Sequence, residues 1–216
     1  MKILRNKLEK EEIKDMPQVS FSGRIITIYT EGEVERAVDF LLSQPILGID
    51  TETRPSFQKG KIHKVGLVQI STHDTCFLFR LNFFGLTPAL IRLLEDTNVP
   101  KVGLSLKDDI SSLKKRKDFK PGNYIELQEY VKQFGIKDMS LQKLYANLFG
   151  MRISKTQRLS NWEANILSDA QNRYAATDAW ACIQIYEELE RLRKTGDYQL
   201  EVIKEDEEDI PEEGKG

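Results

Sequence analysis

Apolar positions along the chain change their period about halfway. In the first half they come in short runs. Arg24–Tyr29 has the β-branched character of a strand, and Ile46–Ile49, opened by Pro45, is of the length expected for a fully buried strand. Val65–Ile70 and Cys76–Phe79 read as two more strands, joined by the short polar loop Ser71–Asp74, and Lys101–Leu104 as a further short one. Helices fall between them. Thr30-Glu31-Gly32-Glu33 matches a capping box, followed by Val34, Ala37, Val38, Leu41 and Leu42 on one face. Thr87-Pro88 starts another helix, with proline at its first position and Leu90, Leu93 and Leu94 facing inward. In the second half the spacing is mostly helical. Ser140 caps a helix that stops at Gly150. Ser168-Asp169-Ala170-Gln171 is a second capping box and opens the longest helix, to about Arg193, with Ala175, Cys182, Ile185, Leu189 and Leu192 inward. This order predicts an α/β domain with a mixed central sheet flanked by helices and a helical second half. The expected divisions are a charged N-terminal extension over 1–23, the domain over 24–196, and an acidic, disordered tail over 197–216.

Composition changes this picture little. A chain of 216 residues fits one domain, and 40% hydrophobic residues suffice for a sizeable core. No apolar run approaches the roughly 18 residues of a membrane span, and the N-terminus lacks an apolar signal region. No membrane partner is expected, and the chain reads as a cytoplasmic monomer. Cys76 and Cys182 each sit in an apolar pattern, which predicts buried free thiols. Charge is more informative. Residues 201–216 hold eight acids and two lysines, so residues 1–200 carry 30 basic and 26 acidic residues, a net of +4. A mildly basic body permits a polyanionic partner.

The candidate chemistry begins where the Ile46–Ile49 strand ends. Asp50 and Glu52 are one residue apart, so on a strand both point to the same side. Two acids so placed are costly unless a cation lies between them, and an all-oxygen set suits a hard divalent metal. On the longest helix Tyr174 and Asp178 are four apart and share the inward face. Asp178 is a candidate third ligand there, although a local cap or ion pair would also account for it. Asp109 lies in the first turn of the helix after Lys101–Leu104, where the helix dipole favours acids in any case. It is preferred over Asp108 because Leu113, one turn on, packs its face inward.

Taken together, Asp50-Thr51-Glu52, Asp109 with Leu113, and Tyr174-Ala175-Ala176-Thr177-Asp178 resemble the motifs of the DEDD 3′–5′ exonucleases, in order. The likeness is to the branch with a catalytic tyrosine, that of ribonuclease D and Werner-type exonuclease domains. It extends over Arg24 to about Arg193 and includes the flanks Gly60–Val65 and Lys155–Trp162. Thr53 departs from it, standing where the Werner-type domain has Trp. The resemblance implies a ribonuclease H-like fold and two Mg²⁺ or Mn²⁺ ions held by Asp50, Glu52, Asp109 and Asp178. In that arrangement Asp50 bridges the ions, Glu52 and Asp178 complete one site, and Asp109 supports the other. Tyr174 orients a water. The implied activity is hydrolysis of DNA or RNA from a free 3′ end to nucleoside 5′-monophosphates. The alternative is an exonuclease-like module that binds nucleic acid or a protein without catalysis. Lys155 and Arg158 are candidate substrate-phosphate contacts, equally readable as solvated loop cations. His63, in a polar loop near Glu52, is a weaker candidate contact, since most loop histidines do nothing specific. Trp162 is expected to pack the loop against the last helix.

Overall fold

The computed structural model describes residues 1–60 and 62–203. The strands are β1 (Lys2–Arg5), β2 (Gln18–Val19), β3 (Arg24–Ile28), β4 (Leu47–Glu52), β5 (Leu67–Ser71), β6 (Thr75–Arg80), β7 (Lys101–Gly103), β8 (Tyr124–Glu126), β9 (Arg152–Ile153) and β10 (Tyr198–Glu201). The helices are α1 (Lys10–Lys14), α2 (Glu31–Leu42), α3 (Leu81–Phe84), α4 (Pro88–Glu95), α5 (Leu106–Lys114), α6 (Leu127–Tyr130), α7 (Leu141–Phe149) and α8 (Asp169–Thr195). A 3₁₀ turn, Val131–Phe134, continues α6.

Six strands form the central sheet in the order β3-β6-β5-β4-β7-β8. β5 runs antiparallel to both neighbours, whereas β3–β6, β4–β7 and β7–β8 are parallel. The sheet is therefore mixed, with β4 inside it. Leu47 and Ile49 of β4 face a core shared with α2, α4 and α5. The alternate positions face α8, which packs across β4, β5, β6 and β7. Gly48 makes that packing possible, since a Cβ there would lie 1.9 Å from the carbonyl oxygen of Ala179.

The expected caps are present. Thr30 with Glu33, and Ser168 with Gln171, form reciprocal capping boxes, and Ser140 accepts from the Lys143 amide. Cys76 and Cys182 are buried free thiols.

The ends of the chain differ from expectation. Residues 1–23 do not lie outside the body: Leu4, Leu8, Ile13 and Phe21 are buried. β1 pairs in parallel with β10, Lys2 opposite Tyr198 through Arg5 opposite Glu201. Residues 198–201, expected in the disordered tail, are thus a strand. Burial of Leu4 and partial burial of Leu200 against the α8 core outweighs the local charge. The expected acidic tail from 204 onward lies outside the described residues, as does Lys61 of the Gly60–Val65 flank.

Candidate active site

β4 delivers two carboxylates to the side where α8 lies. Because side chains alternate, Asp50 and Glu52 share the face of Gly48, and the close approach of α8 at Ala179 sets Asp178 beside them. Carboxylate oxygens of Asp50, Glu52 and Asp178 all lie within 4.8 Å of one another. Glu52 and Asp178 are buried, while Asp50 keeps a partly accessible face. Asp109 arrives from the other side of the sheet. Thr51 points towards α5, and its hydroxyl donates to Asp109 Oδ1 at 2.7 Å.

The start of α5 is held by two features. Ser105 adopts a left-handed conformation, φ 63°, the sole positive φ among described non-glycine residues. The Glu126 carboxylate, at the end of β8, accepts from the Ser105 amide at 3.0 Å and the Leu106 amide at 2.6 Å. This satisfies donors that the first turn leaves free and favours the dipole of α5. Across the ladder from Asp50 stands Gln69, fully buried, whose Nε2 donates weakly to Asp50 Oδ2 at 3.4 Å.

Removal from water raises the pKa of all four acids, and repulsion from the others of the cluster adds to it at Asp50 and Glu52. Burial lifts Glu52 to about 9, with Asp178 and Asp109 adding to it and Arg158 opposing. Asp178 rises to about 7 through burial, against the hydrogen bond from Tyr174 and the charge of Lys155. Asp109 rises to about 6, again mainly through burial, and Glu126 contributes. Asp50 is pushed well up by burial and then by its three acidic neighbours. No lysine or arginine makes an ion pair with any of the four among the described residues. An all-oxygen, under-compensated cluster of this kind fits hard divalent cations, whose charge would remove the repulsion.

Tyr174 sits one turn before Asp178 and hydrogen-bonds to it. Burial and the surrounding carboxylates hold its phenol well above the usual range, so it keeps its proton. Trp162 fixes its ring from behind: the indole is fully buried, 5.9 Å from the Tyr174 ring centroid. Packing of the loop onto α8 is thus its role, as expected. Lys155 and Arg158 are exposed at the rim. His63 is turned instead towards Glu163, Nδ1 to Oε1 at 3.3 Å, a carboxylate that also pairs with Arg54. Asp108 is exposed, as the choice of Asp109 required.

Sequence reasoning missed Thr51, Gln69 and Glu126. Gln69 carried a signal, as the one polar side chain inside the apolar run Val65–Ile70. Strand alternation placed Thr51 opposite Asp50, but its partner depends on tertiary packing. Glu126 had no local mark.

A family profile described as 3′–5′ exonuclease matches residues 25–193. The mouse bifunctional 3′–5′ exonuclease/ATP-dependent helicase WRN is 29% identical over 219 residues, covering 96% of this chain and 16% of that protein. A 3′–5′ exonuclease of Arabidopsis thaliana is 30% identical, covering 86% of this chain and 70% of its own length. Among solved structures, the Nibbler EXO domain of Aedes aegypti superposes with a TM-score of 0.72 at 21% identity, over 82% of this chain and 91% of that domain. That likeness concerns the fold, which is ribonuclease H-like.

Proposed function

The chain belongs to the 3′–5′ exonuclease family, and from that premise we propose that it hydrolyses the terminal phosphodiester bond at the 3′ end of DNA or RNA, releasing nucleoside 5′-monophosphates. The observation that carries the proposal is the trio of buried Glu52 and Asp178 with half-buried Asp50, their oxygens within 4.8 Å and no paired cation among the described residues. Asp50, Glu52 and Asp178 would hold divalent cations, Mg²⁺ or Mn²⁺, with Asp109 supporting from the far side of Asp50. Bound there, such ions supply charge stabilisation for the attacking and leaving oxygens of an in-line displacement.

The chain's own groups supply the rest. Tyr174 keeps its hydroxyl proton, and Asp178 accepts from it. The phenol can therefore hold a water in one orientation beside the scissile phosphorus. The Trp162 ring limits movement of that phenol. Thr51 and Glu126 position Asp109, one through its carboxylate and the other through the start of α5. Lys155 and Arg158 meet the phosphate as exposed cations at the rim, a contact that gives affinity without reading sequence.

The test is a 3′-end degradation assay with 5′-labelled single-stranded DNA, duplex DNA and single-stranded RNA, in Mg²⁺, in Mn²⁺ and with chelator. The expected result is a metal-dependent ladder shortening from the 3′ end, abolished by Asp50→Ala and strongly reduced by Tyr174→Phe. No shortening of any substrate with either metal would overturn the proposal.

A further inference from the structure

A groove of about 1210 Å³ lies between the N-terminal segment and the loop that carries Lys155 and Arg158. Its floor and walls come from α1, the start of α7, β9 and the loop after β9. Six cations line it, namely Lys10, Lys14, Lys143, Arg152, Lys155 and Arg158, against two carboxylates. One of those, Asp138, is already paired with Lys143 at 3.0 Å. Arg152 donates Nε to the carbonyl of Met16 and forms no ion pair with a carboxylate among the described residues. Lys10 and Lys14 are one helical turn apart on α1 and exposed, and Ile13 anchors that helix against Leu8 and Ala146. These cations crowd one another: the ammonium of Lys155 is depressed by burial and by the charges of Arg158, Lys10 and Lys143. None of the four acids lines the groove, but Lys155 and Arg158, which do, act on the charges of Asp178 and Glu52 respectively.

We infer that this groove carries the sugar–phosphate backbone of a single strand upstream of the 3′ end, with Lys10 and Lys14 as phosphate contacts contributed by the N-terminal segment. The inference rests on the exonuclease reading for the position of the 3′ end. A strand suits the groove because its cations come from four separate segments, α1, the start of α7, β9 and the loop after β9, and so can meet several phosphates of one repeating backbone.

The experiment is fluorescence anisotropy on the full chain with a labelled single strand of about twelve nucleotides, in Ca²⁺, over a salt series. The strand carries phosphorothioate linkages at its 3′ end. Lys10→Ala/Lys14→Ala is compared with Lys115→Ala/Lys117→Ala, an equal change of charge at the end of α5 on the opposite face of the sheet. The expected result is binding roughly five- to fiftyfold weaker for the first variant, with a salt slope lower by about 1.4, since each single-strand phosphate contact contributes about 0.7. The second variant should match wild type. Equal losses in both variants, or no loss in the first, would overturn the groove. Circular dichroism melts unchanged by Lys10→Ala/Lys14→Ala exclude unfolding as the cause. The degradation assay reads the exonuclease proposal separately. A wild-type chain that binds through Lys10 and Lys14 yet never shortens the unmodified substrates of the degradation assay in Mg²⁺ or Mn²⁺ would support the groove and overturn the hydrolysis.

Discussion

Asp178→Asn should make the chelator-treated protein more stable while removing its response to divalent cations. Asp178 is 7% exposed, and its pKa is raised from 3.8 to about 7, burial being the main cause. A raised pKa in the folded state means that folding retains a proton which the unfolded chain surrenders. Stability is therefore undiminished below about pH 3.8, falls as pH rises towards 7, and levels off above it. At about 1.36 kcal/mol per pH unit between the two values, the loss at pH 8 is about 4 kcal/mol. Roughly 1.5 kcal/mol of that is already lost at pH 5, so the drop between pH 5 and pH 8 is about 3 kcal/mol. Asparagine keeps an oxygen to accept from Tyr174 and has no charge to desolvate, so the variant escapes this drop. For a chain of this size, about 3 kcal/mol corresponds to roughly 6–12 °C in Tm. The assay is thermal unfolding of wild type and variant in chelator at pH 5 and pH 8, then with added Mg²⁺ or Mn²⁺. The variant should melt higher at pH 8 and differ less at pH 5. Wild type alone should gain substantially from the cation, by mass action on the folded state. A variant no more stable than wild type at pH 8 in chelator would refute the reasoning that the cluster is an under-compensated charge.

Other positions give independent tests. Gly48→Ala should lower both Tm and activity, since the new methyl would meet the Ala179 carbonyl 1.9 Å away and push α8 from β4. A cost of about 1–3 kcal/mol and a more than tenfold loss of hydrolysis are expected, read by denaturant unfolding and the ladder assay. Thr51→Val keeps shape but leaves Asp109 without its 2.7 Å hydrogen bond, so hydrolysis should fall while the circular dichroism spectrum stays unchanged. Trp162→Ala removes a fully buried indole, and unfolding free energy should drop by about 3–5 kcal/mol, with activity falling as Tyr174 loses its backing. Glu126→Gln should cost about 0.5–1 kcal/mol by weakening the anion at the start of α5.

Much of the scaffold was legible because it is written in local patterns. Thr30 with Glu33 and Ser168 with Gln171 set helix starts within four residues, and the structure has those starts. The strand at Ile46–Ile49 was read from length and flanking proline, and it runs as Leu47–Glu52. Spacing alone put Asp50 beside Glu52 and Tyr174 one turn from Asp178, because the strand and helix periods are properties of the backbone. The short elements β2, β8 and β9 were missed, since two or three residues carry no measurable period. The N-terminal segment was misjudged for a related reason: its charge is local, whereas the burial of Leu4 and the pairing of β1 with β10 join residues nearly 200 apart in the chain.

The sequence by itself determined which carboxylates could share a face and which helices would carry an apolar stripe. Tertiary structure alone decided that Thr51 holds Asp109, that Gln69 lies opposite Asp50, and that Glu126 caps α5. It also decided that Lys10 and Lys14 line one groove with Lys155 and Arg158. Those relations depend on strand register, on the depth to which α8 settles over Gly48, and on where the N-terminal segment docks. All three follow from summed burial and close packing across the whole domain, which no window of neighbouring residues contains.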